Sequence, residues 1–359
     1  MRGRTVARRK NRPAGPLDAR SAAILRAVIE EYVSTATPVG SQTLVERYRL
    51  GVSSATVRNV MGDLEAAGYL RHPHTSAGRV PTDAGYRLYV EALDTTTLTP
   101  VEELMIRHQF GQVEFASEHW FRLAASTLAG ATHAAGLATP AKPRSARVSR
   151  VDLVEIGGRV ASLVLVLAEG PIKHALLSLP EPVTREELEA AGRELSTRLA
   201  GRSAKRVEEL LPTLDQGDAR ARLVAHASER IARIMRDFDA SAVEDVFSEG
   251  LLNVMEEPEF AQSEKLRRVF TALQNRDYLG RLLLDVAHRG GVRVFIGAEN
   301  GPTEMHEVSL VVAPYGRAGR AMGVVGVLGP TRMAYPHTIS TVRYVSGLMN
   351  ELVDHLYAS

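Results

Sequence analysis

Between Ser21 and Gly68 the chain sets three apolar stripes at helical spacing, separated by breaks of only a few residues. In "SAAILRAVIEEYVST" the positions Ile24, Val28, Ile29 and either Tyr32 or Val33 share one face. "TPVGS" breaks that pattern. "SQTLVERYRL" follows as a short amphipathic helix, with Ser41 expected at its N-cap and Gly51 at its end. The third stripe lies in "SSATVRNVMGDLEAAG", where Val57, Val60, Met61 and Leu64 recur at i, i+3, i+4 and i+7, with Ser53 or Ser54 as cap and Gly68 as terminator. A tight turn at Leu50–Ser53 lets the third helix cross the second steeply. "YLRHPHTSAGRVPT" reads as strand, loop, strand, and "DAGYRLYVEAL" returns to helix. Residues 18–93 are therefore expected to form a helix-turn-helix with a wing.

The residue types on that frame suit a duplex. Ser53, Ser54, Ala55 and Thr56 make a small, uncharged helix start that can approach base edges, and a helix N-terminus offers free N–H groups to a phosphate. Arg58 and Asn59 lie opposite Val57, Met61 and Leu64; Arg can bind guanine and Asn adenine, each through two hydrogen bonds, and Thr56 can touch a thymine methyl. Gln42 and Thr43, on the second helix, complete the groove-facing set. Arg71, His72, His74, Thr75, Ser76 and Arg79 in the wing are placed to follow the flanking backbone or minor groove. The same shape also serves as a protein-interaction module, in which Arg58 would be an ordinary solvated residue.

Charge supports a polyanion at this end. Residues 1–93 carry 14 Lys and Arg against 8 Asp and Glu, whereas the whole chain is only +2. Residues 1–17 are basic and aperiodic, the pattern of a disordered tail. The excess of Arg over Lys is weaker support, because a GC-rich coding sequence produces it too. The absence of cysteine excludes disulfides, cysteine-ligated metal and thiol catalysis. No run approaches the ~18 uncharged apolar residues of a membrane span, and the basic start lacks a following apolar stretch, so a cytoplasmic chain with no membrane partner is expected.

Downstream, "VEELMIRHQFGQVEFASEHWFRLAASTLAGAT" reads as one long helical pattern and "ATPAKPRSARV" as a loop. "VSRVDLVEIGGRVASLVLVLAEGPIKHALLSLP" reads as two or three strands. Charged helices run from Thr184 to about Phe260, ending in the turn-rich "SEGLLNVMEEPEF". After the helical "KLRRVFTALQNRDYLGRLLLDVA", strands return in "VRVFIG", "VSLVVAPY" and "MGVVGVLG", before a last helix, "PHTISTVRYVSGLMNELVDHLYA". Strand, helical block, strand is the signature of one α/β domain interrupted by an insertion.

The stretch "PVGSQTLVERYRLGVSSATVRNVMGDLEAAGYLRHPHTSAGRVPTDAGYRLYV" closely resembles the N-terminal domain of the HrcA family of heat-inducible transcription repressors. "LLNVMEEPEF", "IGAEN" and "VSLVVAPYGRAGRAMGVVGVLGPTRMAYPHTISTVRYVSGLM" resemble that family's C-terminal half, so the likeness spans nearly all of residues 21–355. It implies an α+β multidomain chain with an N-terminal winged helix-turn-helix (18–93), a GAF-like α/β domain (98–182 and 259–359) and an inserted, mainly helical dimerising domain (183–258). It also implies a homodimer bound to double-stranded DNA at a CIRCE-type inverted repeat. Chaperonin operons would be repressed there, the GroEL chaperonin would sustain activity, and heat would relieve it. The family usually has an acidic residue after the Arg-Asn pair, where this chain has Val60, and the tail to about Pro16 lies outside the likeness.

No other motif competes. His72 and His74 form an H-x-H pair with Pro73 between them and no evident third ligand. "GRAGRAMGVVGVLGP" lacks the Gly-Lys-Ser/Thr of a phosphate loop and reads as a turn entering a buried strand. Trp120, Phe115 and Phe121 read as core or dimer contacts. No catalytic constellation is evident, so no enzyme, cofactor or metal is expected. The rival readings are a ligand-sensing regulator using the GAF-like domain and a chaperone-associated interaction protein that does not read DNA.

Overall fold

The computed structural model describes residues 17–73, 78–94, 97–111, 117–143, 145–157, 159–168, 172–179, 182–214, 217–240, 246–260, 290–316 and 321–357, with isolated positions between 267 and 289. It is a mixed α+β chain of several units. Helix α1, Ala19–Thr35, starts at Asp18, whose carboxylate accepts from the Ser21 N–H at 2.9 Å, and it buries Ile24, Leu25, Val28 and Ile29. Helix α2 spans Ser41–Arg47 and α3 Ser54–Ala66. Two end signals differ from expectation. Gly40, not Ser41, is the α2 N-cap, because the Ser41 hydroxyl is engaged with the Ser54 hydroxyl of α3 at 2.9 Å. The helix also ends at Tyr48, three residues short of Gly51, which instead takes φ 66° in the turn to α3.

At the other end of α3, Gly68 N–H reaches the Glu65 carbonyl and Tyr69 N–H the Leu64 carbonyl, both at 2.9 Å. This is the Schellman closure that a glycine at φ 84° permits. Strands β1, Leu70–Arg71, and β2, Val80–Pro81, pair antiparallel, and a backbone bridge joins Val39 to Arg79 through two 2.9 Å bonds. The break between α1 and α2 is thus a third rung of the ribbon. Gly78 lies so close to it that a Cβ would sit 2.4 Å from the Val39 oxygen. Helix α4, Asp83–Glu91, follows, capped by Thr82.

Helices α5, Pro100–Gly111, and α6, Ser117–Thr132, lead into a six-stranded sheet. Its strands are β3 (Ala135–Ala138), β4 (Lys142–Pro143), β8 (Phe247–Glu249), β9 (Arg293–Ile296), β10 (Val308–Gly316) and β11 (Ala321–Pro330). The order is β8-β3-β11-β10-β9, with β4 also on β11, all antiparallel. Helix α11, Tyr335–Tyr357, and α6 cover one face, meeting Val311, Ala313, Val325 and Val327. Leu310 and Leu328 face the other way, onto Val254 of the short α10 (Leu251–Met255) and Phe260. Being covered on both faces, β10 and β11 are continuous apolar runs rather than alternating ones.

The strands in residues 148–178 were expected to complete this body. Among the described residues these strands pair with one another instead. β5 (Val148–Gly157), β6 (Val160–Leu167) and β7 (Ile172–Ser178) form a separate antiparallel sheet. It shares its core with α7 (Arg185–Leu199), α8 (Ala204–Leu210) and α9 (Ala219–Ala240). The unit closes on itself, since Ala146 N–H donates to Asp239 Oδ1 at 2.9 Å at the end of α9. Its sheet buries one face under α7 and α9. The opposite face exposes Val154 (51%), Ile156 (60%), Ile172 (55%) and Leu176 (65%). No helix is long and apolar enough to cross a membrane among the described residues.

Candidate nucleic-acid interface

The interface begins with how α3 is anchored. Val57, Met61 and Leu64 are buried, and Val60 packs half-buried against the same core. Ser53 is the cap: its Oγ accepts from the Thr56 N–H at 3.2 Å and lies 3.0 Å from Thr56 Oγ1. The hydroxyls of Ser53, Ser54 and Thr56 are thus engaged in building the helix start and in tying it to α2. Ala55, Arg58 and Asn59 remain exposed, and the side chains of the last two make no hydrogen bond or ion pair among the described residues. On α2, Gln42 is exposed and donates along the helix to Glu46 at 2.8 Å, while Thr43 is half-buried. Arg47 binds the buried Glu31 at 2.8 Å and so ties α2 to α1.

The ribbon residues divide. Arg71, on β1, is exposed. His72 is exposed with Nε2 3.4 Å from Glu65 Oε2, and Arg79 donates from Nε to the same oxygen at 3.0 Å with only 14% of its side chain exposed. The Arg79 guanidinium also lies over Gly62 of α3, whose Cβ would be 3.8 Å from it. Arg79 therefore clamps the ribbon base to α3 instead of standing free. His74, Thr75 and Ser76 lie outside the described residues. The fold leaves Ala55, Arg58 and Asn59 exposed in the first two turns of α3, while Arg71 and His72 are exposed at the ribbon base, His72 lying against Glu65 in the last turn of the same helix. Glu65 was not foreseen as part of the site, because its partners come from beyond a turn, up to fourteen residues later.

A second group bears on the same unit. Arg332, in the turn between β11 and α11, binds Glu257 and Glu259, and its Nη1 lies 3.3 Å from the Val33 carbonyl in the last turn of α1. Arg87 of α4 binds Glu299 through Nε at 2.8 Å and the Val294 carbonyl through Nη2 at 2.6 Å. Asp83 accepts from the Ala298 N–H at 3.1 Å. Between these contacts the rings of Tyr86 and Tyr335 meet at 5.8 Å. Burial pushes both phenols well above the usual tyrosine range. The motif segments "IGAEN", "MEEPEF" and "GPTRMAY" therefore converge beneath the first four helices; only their three-dimensional pairing reveals this.

The family model described as HrcA protein C terminal domain matches residues 118–339. The heat-inducible transcription repressor HrcA of Chloroflexus aggregans is 42% identical over 360 residues, 96% of this chain and 95% of that protein. The protein of the same name from Roseiflexus castenholzii is 42% identical over 340 residues, 93% and 94% of the two chains. A solved structure described as a hypothetical protein is 24% identical and superposes with a TM-score of 0.59, covering 95% of this chain and 99% of that one, which shows a shared fold. With a family model over more than half its length and such relatives over nearly all of it, this chain belongs to the HrcA family of heat-inducible transcription repressors.

Proposed function

We propose that the chain represses transcription by binding a CIRCE-type inverted repeat in double-stranded DNA as a homodimer, and that heat relieves it. The observation carrying this reading is the start of α3, where a serine cap and a buried apolar stripe hold exposed Ala55, Arg58 and Asn59 in fixed orientation. Residues 18–93 act as a winged-helix reader: Arg58 and Asn59 meet base edges, and Arg71, His72, His74, Thr75 and Ser76 follow the backbone. Ser53, Ser54, Thr56 and Arg79 present and brace these groups, and Gln42 and Thr43 flank them. Residues 98–143 and 246–357 form the GAF-like body. The dimerising insert is redrawn as residues 146–240, since β5–β7 share its core. Its exposed apolar sheet face gives the second copy a surface to cover. The GroEL chaperonin acts as modulator, as the family resemblance implies.

Fluorescence anisotropy with a labelled inverted-repeat duplex and a scrambled control, across a salt series and with or without chaperonin, tests the reading. Operator preference of about a thousandfold supports a specific repressor. A steep salt slope without preference means phosphate binding alone. Absence of preference in both chaperonin arms removes the repressor reading.

A further inference from the structure

We propose that Arg332 is a positioning residue for operator reading: it fixes the angle at which the reader stands on the body, and so the spacing between the two reading helices of a dimer. The inference rests on the function proposed above. One guanidinium joins three separate segments, the end of α1, the Glu257–Glu259 turn and the turn entering α11. Its side chain is only 11% exposed. The Val33 carbonyl it approaches belongs to the last turn of α1, where a carbonyl lacks an intrahelical partner and a cation complements the helix dipole.

Arg332 does not act alone. Arg87 on Glu299 and Asp83 on the Ala298 N–H anchor α4 to the body at a second place, and the Tyr86–Tyr335 ring pair lies between the two. A single anchor would leave the reader free to swivel; anchors on two different helices remove that freedom. Directional ionic contacts fix an angle in a way that an apolar patch does not. The interface is also not built for maximal strength, since Tyr86 Oη and Glu259 Oε2 are buried without hydrogen-bond partners among the described residues. Among the described residues of 17–94 the Val33 carbonyl contact is the hydrogen bond that involves Arg332, so losing it should loosen the stance of the reader without unfolding it.

The test compares wild type with Arg332→Gln, which leaves a shorter neutral amide in place of the charged fork, and with Glu299→Gln at the second anchor, in case the first variant folds poorly. Anisotropy is read on a single half-site and on inverted repeats with natural spacing or about 5 extra base pairs, half a helical turn. Wild type should prefer the natural spacing by about a hundredfold, the scale of a bivalent advantage. Each variant should lose most of that preference, to within about threefold, while half-site affinity changes by less than about twofold, because only the second contact of a bivalent pair is lost. Variants that keep the wild-type preference overturn the inference.

A DNA-free arm separates this from failure of the function itself. The chain has no cysteine, so nitroxides at Glu46→Cys on α2 and Glu304→Cys in the body, diluted with unlabelled chain, report one intramolecular distance by pulsed electron resonance. A narrow distribution in wild type that broadens in Arg332→Gln upholds the anchor even if wild type ignores the operator. An unchanged width overturns it.

Discussion

Arg58 and Asn59 stand exposed on α3 with no side-chain partner among the described residues, whereas the hydroxyls around them are occupied in holding the helix start. Arg58→Ala should therefore weaken operator binding by about 1–3 kcal/mol and relax discrimination at one base position, with little change on scrambled duplex. Ser53→Ala acts through the cap instead: a thermal melt should show a loss of about 1 kcal/mol, and operator affinity should fall only as far as the helix start frays. Gly78 offers a third kind of change. Its missing Cβ makes room for the Val39 carbonyl, so Gly78→Ala should cost about 1–3 kcal/mol, read by chemical denaturation, and should disturb the ribbon base. Arg79 carries the lesson at this scale. A basic residue in a ribbon reads from sequence as a phosphate ligand, yet its Nε is committed to Glu65 at 3.0 Å. Residue type states what a side chain can bind; only its neighbours determine what it does bind.

The helices with strong apolar stripes were legible, and so were the strands with long apolar runs. Val57, Met61 and Leu64 are buried as their spacing required, and Met61→Ala should cost about 2–5 kcal/mol in unfolding free energy. What escaped the sequence was β3. "AGLA" has neither alternation nor β-branched residues, because the strand is chosen for closeness: a Cβ on Gly136 would lie 1.9 Å from the Ala125 carbonyl of α6. The boundary of the insert also escaped, since β6 looks the same whichever sheet it joins; only its pairing with β5 and β7 assigns it. Helix α7 makes a pH-dependent prediction. Thr184 and Glu187 form a capping box, and the hydrogen bonds from the Thr184 N–H and hydroxyl hold the Glu187 carboxyl below the usual carboxylate range. A depressed folded-state value contributes stability above the ordinary glutamate range that disappears as pH falls through the folded-state value. Denaturation of Glu187→Gln should thus differ from wild type near neutrality, and the two should converge in acid.

For the whole molecule, the exposed face of β5–β7 is where the proposed dimer can be tested directly. Val164 points to that face from the central strand, opposite Asp152 and His174. Val164→Asp should shift sedimentation from dimer to monomer and cost most of the affinity for the full inverted repeat, leaving a single half-site bound as before, as expected when a bivalent contact becomes a monovalent one. The body surrounding the insert has a different consequence, in the order of its manufacture. Ala138 of β3 pairs with Val325 of β11, so β3 leaves the ribosome long before its partner exists, waiting roughly 10–40 s at ordinary rates of synthesis. The reader, made of contacts between near neighbours in the chain, has no such wait. Arg332, which anchors it, arrives later still. A growing chain thus passes through a stage in which the proposed DNA reader is complete while the anchor proposed to set its measure has yet to be made.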